Sequence, residues 1–198
     1  TLTRADILSH LKKAGIRLRE VTASLTVCDQ LLSVTNDYVA GQRAKLISGS
    51  LVSRKVASDV VQKIRNATTS LDILISSSAG GGKSACFYQI ATELVTAGLP
   101  VLAFRLDRLN PTLTTTALGE QMGLTESPVL VLARAFSGKP VVLIIDQLDF
   151  VSTTSGRHPD FFDALAAMVE EVRGLRTTQA IHLILACREF DFENDHRF

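Results

Sequence analysis

The sequence predicts an α/β fold in which a parallel sheet is covered by helices on both faces, and three observations carry that expectation. Four short runs are almost continuously apolar: Leu71-Asp72-Ile73-Leu74-Ile75, Val101 to Leu106, Val141 to Ile145 and Ile181 to Ala186. Strands buried on both faces read this way, whereas a half-solvated strand alternates. Between the runs lie stretches whose apolar residues recur at three or four positions, the helical period. Each run also ends on polar or charged residues. Parallel neighbours need long, right-handed crossovers, which those helices supply. Ligands of such sheets bind beyond the carboxyl ends of the strands.

Taken in order, the chain opens with a helical segment over residues 1–48. Thr3 is placed to cap a first helix, with Asp6 in its first turn and Ile7, Leu8 and Leu11 on one face. From Arg17 a second pattern places Leu18, Val21, Leu25, Cys28 and Leu32 on one side and runs through Tyr38 towards Leu46. Gly49 and Ser50 break it, and a second unit of 49–198 begins. Leu51-Val52-Ser53-Arg54-Lys55 leads into a helix with Val56, Val60, Val61 and Ile64. After the first strand a helix from Ser84 to about Thr96 buries Phe87, Ile90, Ala91, Leu94 and Val95. Past the second strand, Asn110-Pro111 turns the chain into a weak helix from Thr112 to Gly123. Ser127-Pro128 then starts a stronger one reaching Phe136. Beyond the third strand, Pro159 starts a helix striped by Phe161, Phe162, Leu165, Met168, Val169 and Val172. The tail after the fourth strand is charged.

Composition sets limits. The 198 residues are 46% hydrophobic, enough for a full core. No apolar run approaches the ~20 residues of a membrane span, and no signal peptide is legible, which together imply a cytoplasmic setting. The first residue, Thr1, marks the chain as a piece of a longer protein. Cys28, Cys86 and Cys187 are odd in number and widely spaced, which fits small buried hydrophobes in a reducing compartment. The four histidines show no metal-ligand spacing. Charge is uneven: residues 1–70 carry 11 Lys/Arg against 5 Asp/Glu, +6, and residues 71–198 carry 10 against 15, −5. The basic residues are scattered with few aromatics among them, so a solvated helical surface is favoured over a nucleic-acid contact.

The chemistry centres on Leu71 to Ser84. An apolar strand, a turn of small residues, a lysine, a hydroxyl and a helix form the layout of a phosphate-binding loop. Gly80, Gly81 and Gly82 free the backbone so that N–H groups from Ser78, Ala79 and onward to Ala85 can face one hollow. The helix that follows adds the positive end of its dipole. Lys83 supplies a charge for the β/γ-phosphates, and Ser84 a hydroxyl ligand for Mg²⁺. Ser77 stands where the usual pattern has Gly, which narrows the loop where it begins. Asp146, after five apolar residues, reads as the Walker B acid that shares the Mg²⁺ with Ser84, a cap on the strand end being the plainer alternative. Hydrolysis needs a group that orients or deprotonates water. Asp149 is the candidate, with Gln147 as a polar second; a turn-stabilising role is the plainer alternative for Asp149. Arg188, just past the fourth strand, is placed to sense the γ-phosphate, or else to pair with Glu189 or Asp191. Arg157 sits in a loop where a finger towards a neighbouring subunit or plain solvation are both open.

These residues resemble the STAND ATPases, the signal-transduction branch of P-loop NTPases that includes NACHT and plant-resistance-type proteins. Ser78-Ala79-Gly80-Gly81-Gly82-Lys83-Ser84 is similar to the NACHT-style loop, Asp146-Gln147-Leu148-Asp149 to the family's Asp-x-x-Asp, and Ala186-Cys187-Arg188 to its sensor strand. Leu51-Val52-Ser53-Arg54 resembles the hydrophobic-Gly-Arg element that lies over the adenine, with Ser53 in place of Gly, which assigns Val52 and Arg54 to nucleotide binding. The resemblance covers roughly residues 50–198. It implies a three-layer P-loop NTPase sandwich with ASCE-type strand order, the Ile181–Ala186 strand lying between the Leu71 and Val141 strands. It further implies ATP/ADP and Mg²⁺ as ligands, slow and partner-dependent hydrolysis, self-association controlled by nucleotide exchange, an unidentified protein trigger and, for bacterial members, stress or phage sensing. GTP is disfavoured because no Asn/Thr-Lys-x-Asp segment follows Asp146. Two alternatives stay open: an adaptor that holds nucleotide without hydrolysis, and a small-molecule kinase, which would need a lid that the sequence does not show.

Overall fold

A computed structural model describes residues 10, 13–14, 25–46, 50–154, 158 and 161–197. The expected first helix with its Thr3 cap, the Leu18 and Val21 positions, Gly49, Arg157 and Pro159 lie outside the described residues. Helix α1 spans Leu25–Arg43 and α2 Lys55–Arg65. Strand β1 (Asp72–Ser77) leads to α3 (Lys83–Thr96), and β2 (Val101–Arg105) to α4 (Thr115–Gln121) and α5 (Pro128–Ala135). Strand β3 (Val141–Asp146), α6 (Phe162–Leu175), β4 (Ile181–Arg188) and α7 (Glu189–Asn194) complete the order.

The four strands form one parallel sheet in the order β1-β4-β3-β2. The fourth strand therefore inserts between the first and third, as the resemblance implies. Ser77 pairs with Arg188 and Arg105 with Asp146 in this register, so the carboxyl ends of all four strands share one rim.

Alternation along the central strands divides the core. Val141, Leu143, Ile145, Ile181 and Leu183 face α5 and α6, packing against Leu132, Leu165 and Met168. Val142, Ile144, Ile184 and Ala186 face α2 and α3, against Val61, Ile64, Phe87, Ile90 and Leu94. Four expectations need adjustment. Leu32 of α1 is exposed, and the buried face of that helix carries Leu31, Thr35 and Tyr38 instead. Asp72, Leu74 and Ser76 of β1 are exposed, because among the described residues that strand lies at the sheet's edge with one neighbour. Val56 and Val95 point outward, and Ala57 takes the inner position in α2. The charged tail contains a short helix, α7, that no apolar periodicity announces.

The opposite edge, β2, is covered by α1. The Thr35 hydroxyl accepts from Ala103 N (3.2 Å) and donates to Val101 O (2.7 Å), occupying backbone groups that an edge strand leaves open. Leu31 and Tyr38 of the same helix are buried in the two halves of the core.

Candidate nucleotide site

The phosphate loop is positioned by β1 on one side and α3 on the other. Gly80 and Gly82 lie at φ of +78° and +81°, left-handed conformations that cost an L-residue about 1–2 kcal/mol. Gly82 immediately precedes α3 and offers no side-chain cap, so no side chain satisfies the helix's first-turn N–H groups. The Ser77 side chain crowds the loop as anticipated: a Cβ on Gly81 would approach Ser77 Oγ to 2.7 Å. Lys83 Nζ donates to Ser77 O (2.9 Å), Ser77 Oγ and Ser78 O (both 3.4 Å). Among the described residues no carboxylate pairs with it, so the ammonium is held in place by neutral oxygens and keeps its charge for an anion.

Arg54 reaches this loop from the segment before α2. Its guanidinium lies against Gly82, where any Cβ would collide with it, and donates weakly to Gly81 O at 3.4 Å. The segment is fastened by Gln89 of α3. Gln89 Oε1 accepts from Arg54 N (2.9 Å), and its Nε2 donates to Ser53 Oγ, Ser58 Oγ and Glu93 Oε1. Val52, two residues earlier, is 79% exposed.

The facing wall comes from the ends of β3 and β4. Gln147 has φ +68°, a left-handed backbone in a non-glycine residue, and such strain is held only where the surroundings enforce it. It turns the chain into a 3-10 turn, Leu148–Val151, on which Asp149 sits. Asp149 Oδ2 pairs with Arg188 Nε at 3.0 Å, while its buried Oδ1 has no hydrogen-bond partner among the described residues. Burial pushes the Asp149 carboxyl up, and Arg188 is the main influence opposing that. Cys187, next to them on β4, is buried with its thiol pushed up to about 12, chiefly by burial, and is inert at neutral pH.

Together these residues enclose a hollow of about 260 Å³ lined by Ala79 to Ser84, Gln147, Asp149 and Arg188. Ser78 joins Arg188 in an adjoining cavity. Ala85 follows on α3 and does not line the hollow. Asp146 does not line it either. Its carboxylate is fully buried, with Oδ2 accepting from Gln42 Nε2 (2.8 Å) and Tyr38 OH (3.2 Å) of α1. Its Oδ1 has no hydrogen-bond partner among the described residues. Burial pushes this carboxyl up, with the Arg105 guanidinium the largest opposing influence. Arg105 itself is held by Asp107 through two hydrogen bonds of 2.8 and 2.7 Å.

The donor set fits a magnesium nucleotide: two orphaned buried carboxylate oxygens, two side-chain cations, a hydroxyl at Ser84 and left-handed glycines ahead of a helix. Three contributors were not anticipated from sequence. Tyr38 and Gln42 lie on α1 at i and i+4, a polar pair on the face that also carries Thr35. Gln89 is a lone amide on the apolar side of α3. In each case a polar residue on a face that otherwise buries is the signal that would have found it.

A comparison with the curated proteins finds no match. The family model described as "ATPase family associated with various cellular activities (AAA)" matches residues 73–194, from β1 through Arg188 to the end of α7. That span contains the phosphate loop, the Asp146–Asp149 segment and Arg188, and it covers more than half of the chain. The chain belongs to the AAA family of P-loop ATPases.

Proposed function

We propose that this AAA domain serves as an ATP-driven signalling switch of the STAND/NACHT-like kind, hydrolysing slowly until a protein trigger engages it and controlling self-association through ADP/ATP exchange. The observation that supports this reading best is the state of Asp146. Lys83, Ser84, Gln147, Asp149 and Arg188 gather around the hollow, while Asp146 is held by Tyr38 and Gln42. A turnover enzyme needs that carboxylate turned towards the metal; a switch at rest has reason to keep it tied.

Each residue then has a task. Backbone N–H groups from Ser78 to Ala85 cradle the phosphates, and Lys83 neutralises their charge. Val52 and Arg54 cover the base. Ser84 and Asp146 would hold Mg²⁺, which supplies charge neutralisation between the phosphates when bound. Asp149, its carboxyl raised by burial, orients or deprotonates the attacking water with help from Gln147. Arg188 steadies developing charge on the transferred group. The Asp149–Arg188 ion pair favours a second reading, an adaptor without hydrolysis, because in it the candidate base is occupied.

Calorimetry with Mg-ATP tests the site: Lys83→Ala is expected to abolish measurable binding, and unchanged affinity would remove both readings. Asp149→Asn is expected to bind ATP as the native chain does and to lose turnover in the full-length protein. Absence of turnover in native full-length protein, with or without its trigger, would leave the adaptor.

A further inference from the structure

A larger cavity than the nucleotide hollow, about 470 Å³, opens at the carboxyl end of β2 between α1 and the end of α4. Its volume falls within the range of small-molecule sites. Tyr38, Phe104, Leu109 and Met122 make an apolar floor. At the rim, Lys45 and Arg108 outnumber the single carboxylate of Asp37, and Arg105 is already neutralised by Asp107. Arg108 is exposed and makes no hydrogen bond or ion pair among the described residues.

We propose that this cavity is a second ligand site, for a small amphipathic anion with an apolar body and one carboxylate, sulfonate or phosphate, and that its occupancy is relayed to Asp146. The apolar body lies on Tyr38 and Phe104, and the anionic group meets Arg108 and Lys45. Two residues link the cavity to Asp146, one directly and one through Gln42. Tyr38 lines the cavity with its ring and donates its hydroxyl to Asp146 Oδ2. Lys45 Nζ donates to Gln42 Oε1 (3.3 Å), and Gln42 Nε2 donates to the same Asp146 oxygen (2.8 Å). An anion that draws Lys45 away removes the contact orienting the Gln42 amide, and a ligand seated on the Tyr38 ring shifts its hydroxyl. The relay rests on the reading of Asp146 as the metal-site acid; the binding does not.

The test uses 8-anilinonaphthalene-1-sulfonate, an aromatic sulfonate whose emission rises in apolar surroundings. Titration into the purified chain is expected to saturate at one dye per chain. Arg108→Glu, at an exposed position, and Met122→Trp, which fills the floor, each weaken binding at least tenfold. Lys83→Ala leaves dye affinity within twofold while abolishing Mg-ATP binding, so the two sites fail separately. The chain has two tyrosines and no tryptophan, so in Tyr88→Phe the emission of Tyr38 stands alone. Decanoate, transparent where tyrosine absorbs, is expected to displace the dye and raise that emission by releasing the phenol from its carboxylate acceptor. Unsaturable dye binding, or equal binding by native, Arg108→Glu and Met122→Trp chains, overturns the site. So does loss of dye binding in Lys83→Ala, which would place the dye at the phosphate loop. Dye displacement with Tyr38 emission unchanged overturns the relay.

Discussion

At the scale of single residues, Asp146 carries the sharpest consequence. Burial raises its carboxyl in the folded chain above the ordinary unfolded value of about 3.9. The folded state therefore binds the proton more tightly, and ionisation works against folding as pH rises through the raised value. Asp146→Asn keeps an acceptor for Tyr38 and Gln42 without the charge. Thermal melts without nucleotide should show the variant more stable than native at pH 7, the gap closing as pH falls through the raised value and gone below about 4; a variant less stable at pH 7 would contradict this account of the site. Asp195 has the opposite sign. Hydrogen bonds from Arg197, and one from Thr153 N at 2.7 Å, hold its carboxyl far below the usual range. Its contribution is present above about pH 4 and lost as pH falls through its lowered value. Asp195→Ala breaks a buried pair and releases residues 151–153 from the chain's end, so a loss of about 3 kcal/mol is expected in denaturant titrations at pH 7, shrinking towards pH 2.

Between elements, the decisive contact is α1 on β2. Thr35→Val keeps the shape of the side chain but leaves Val101 O and Ala103 N without the hydroxyl that joins them. A buried pair of backbone groups left unsatisfied costs about 1–3 kcal/mol. Hydrogen exchange at the Ala103 amide should accelerate in step with that loss, and an unchanged rate would mean that the edge is protected by other means. A second close approach lies between α4 and α5, where a Cβ on Gly119 would run into the Glu126 carbonyl oxygen. That obstacle is backbone, so Gly119→Ala must shift the connecting loop, at a cost of about 1–3 kcal/mol read as a lower denaturant midpoint. These contacts also mark where sequence ceased to inform. The strands, their carboxyl-end residues and the phosphate loop were legible because each is a local pattern: an apolar run, a glycine cluster, an acid at a fixed offset. Thr35, Tyr38 and Gln42 carry no local pattern of that kind. A polar stripe on a helix looks solvated until the helix is docked, and only docking turns it into an edge cap and a grip on Asp146. Gln89 was hidden in the same way, as one amide whose partners Ser53, Arg54 and Ser58 lie 31 to 36 residues earlier in the chain.

For the whole molecule, the question is whether the two halves of the core can come apart. Each central strand sends alternate residues to opposite faces, so Leu143 belongs to the side of α5 and α6 while Val142 and Ile144 belong to the side of α2 and α3. Both halves draw on β2, β3 and β4, and α1 adds Leu31 to one side and Tyr38 to the other. Loss of either half therefore removes the sheet on which the other rests, and unfolding should be a single cooperative event. The two tyrosines give a one-sided probe: Tyr38 is buried with the α2–α3 side and Tyr88 lies on α3. Leu143→Ala acts on the opposite face and should cost about 2–5 kcal/mol. For a chain of this size that corresponds to a fall of roughly 2–4 °C in Tm per kcal/mol. If the halves are coupled, tyrosine emission and far-UV circular dichroism shift together in that variant, by the same amount. If the tyrosine transition stays at its native temperature while the dichroism moves, the phosphate-loop side folds alone, and the grip of α1 on Asp146 would then be a local contact that can open without disturbing the rest of the sheet.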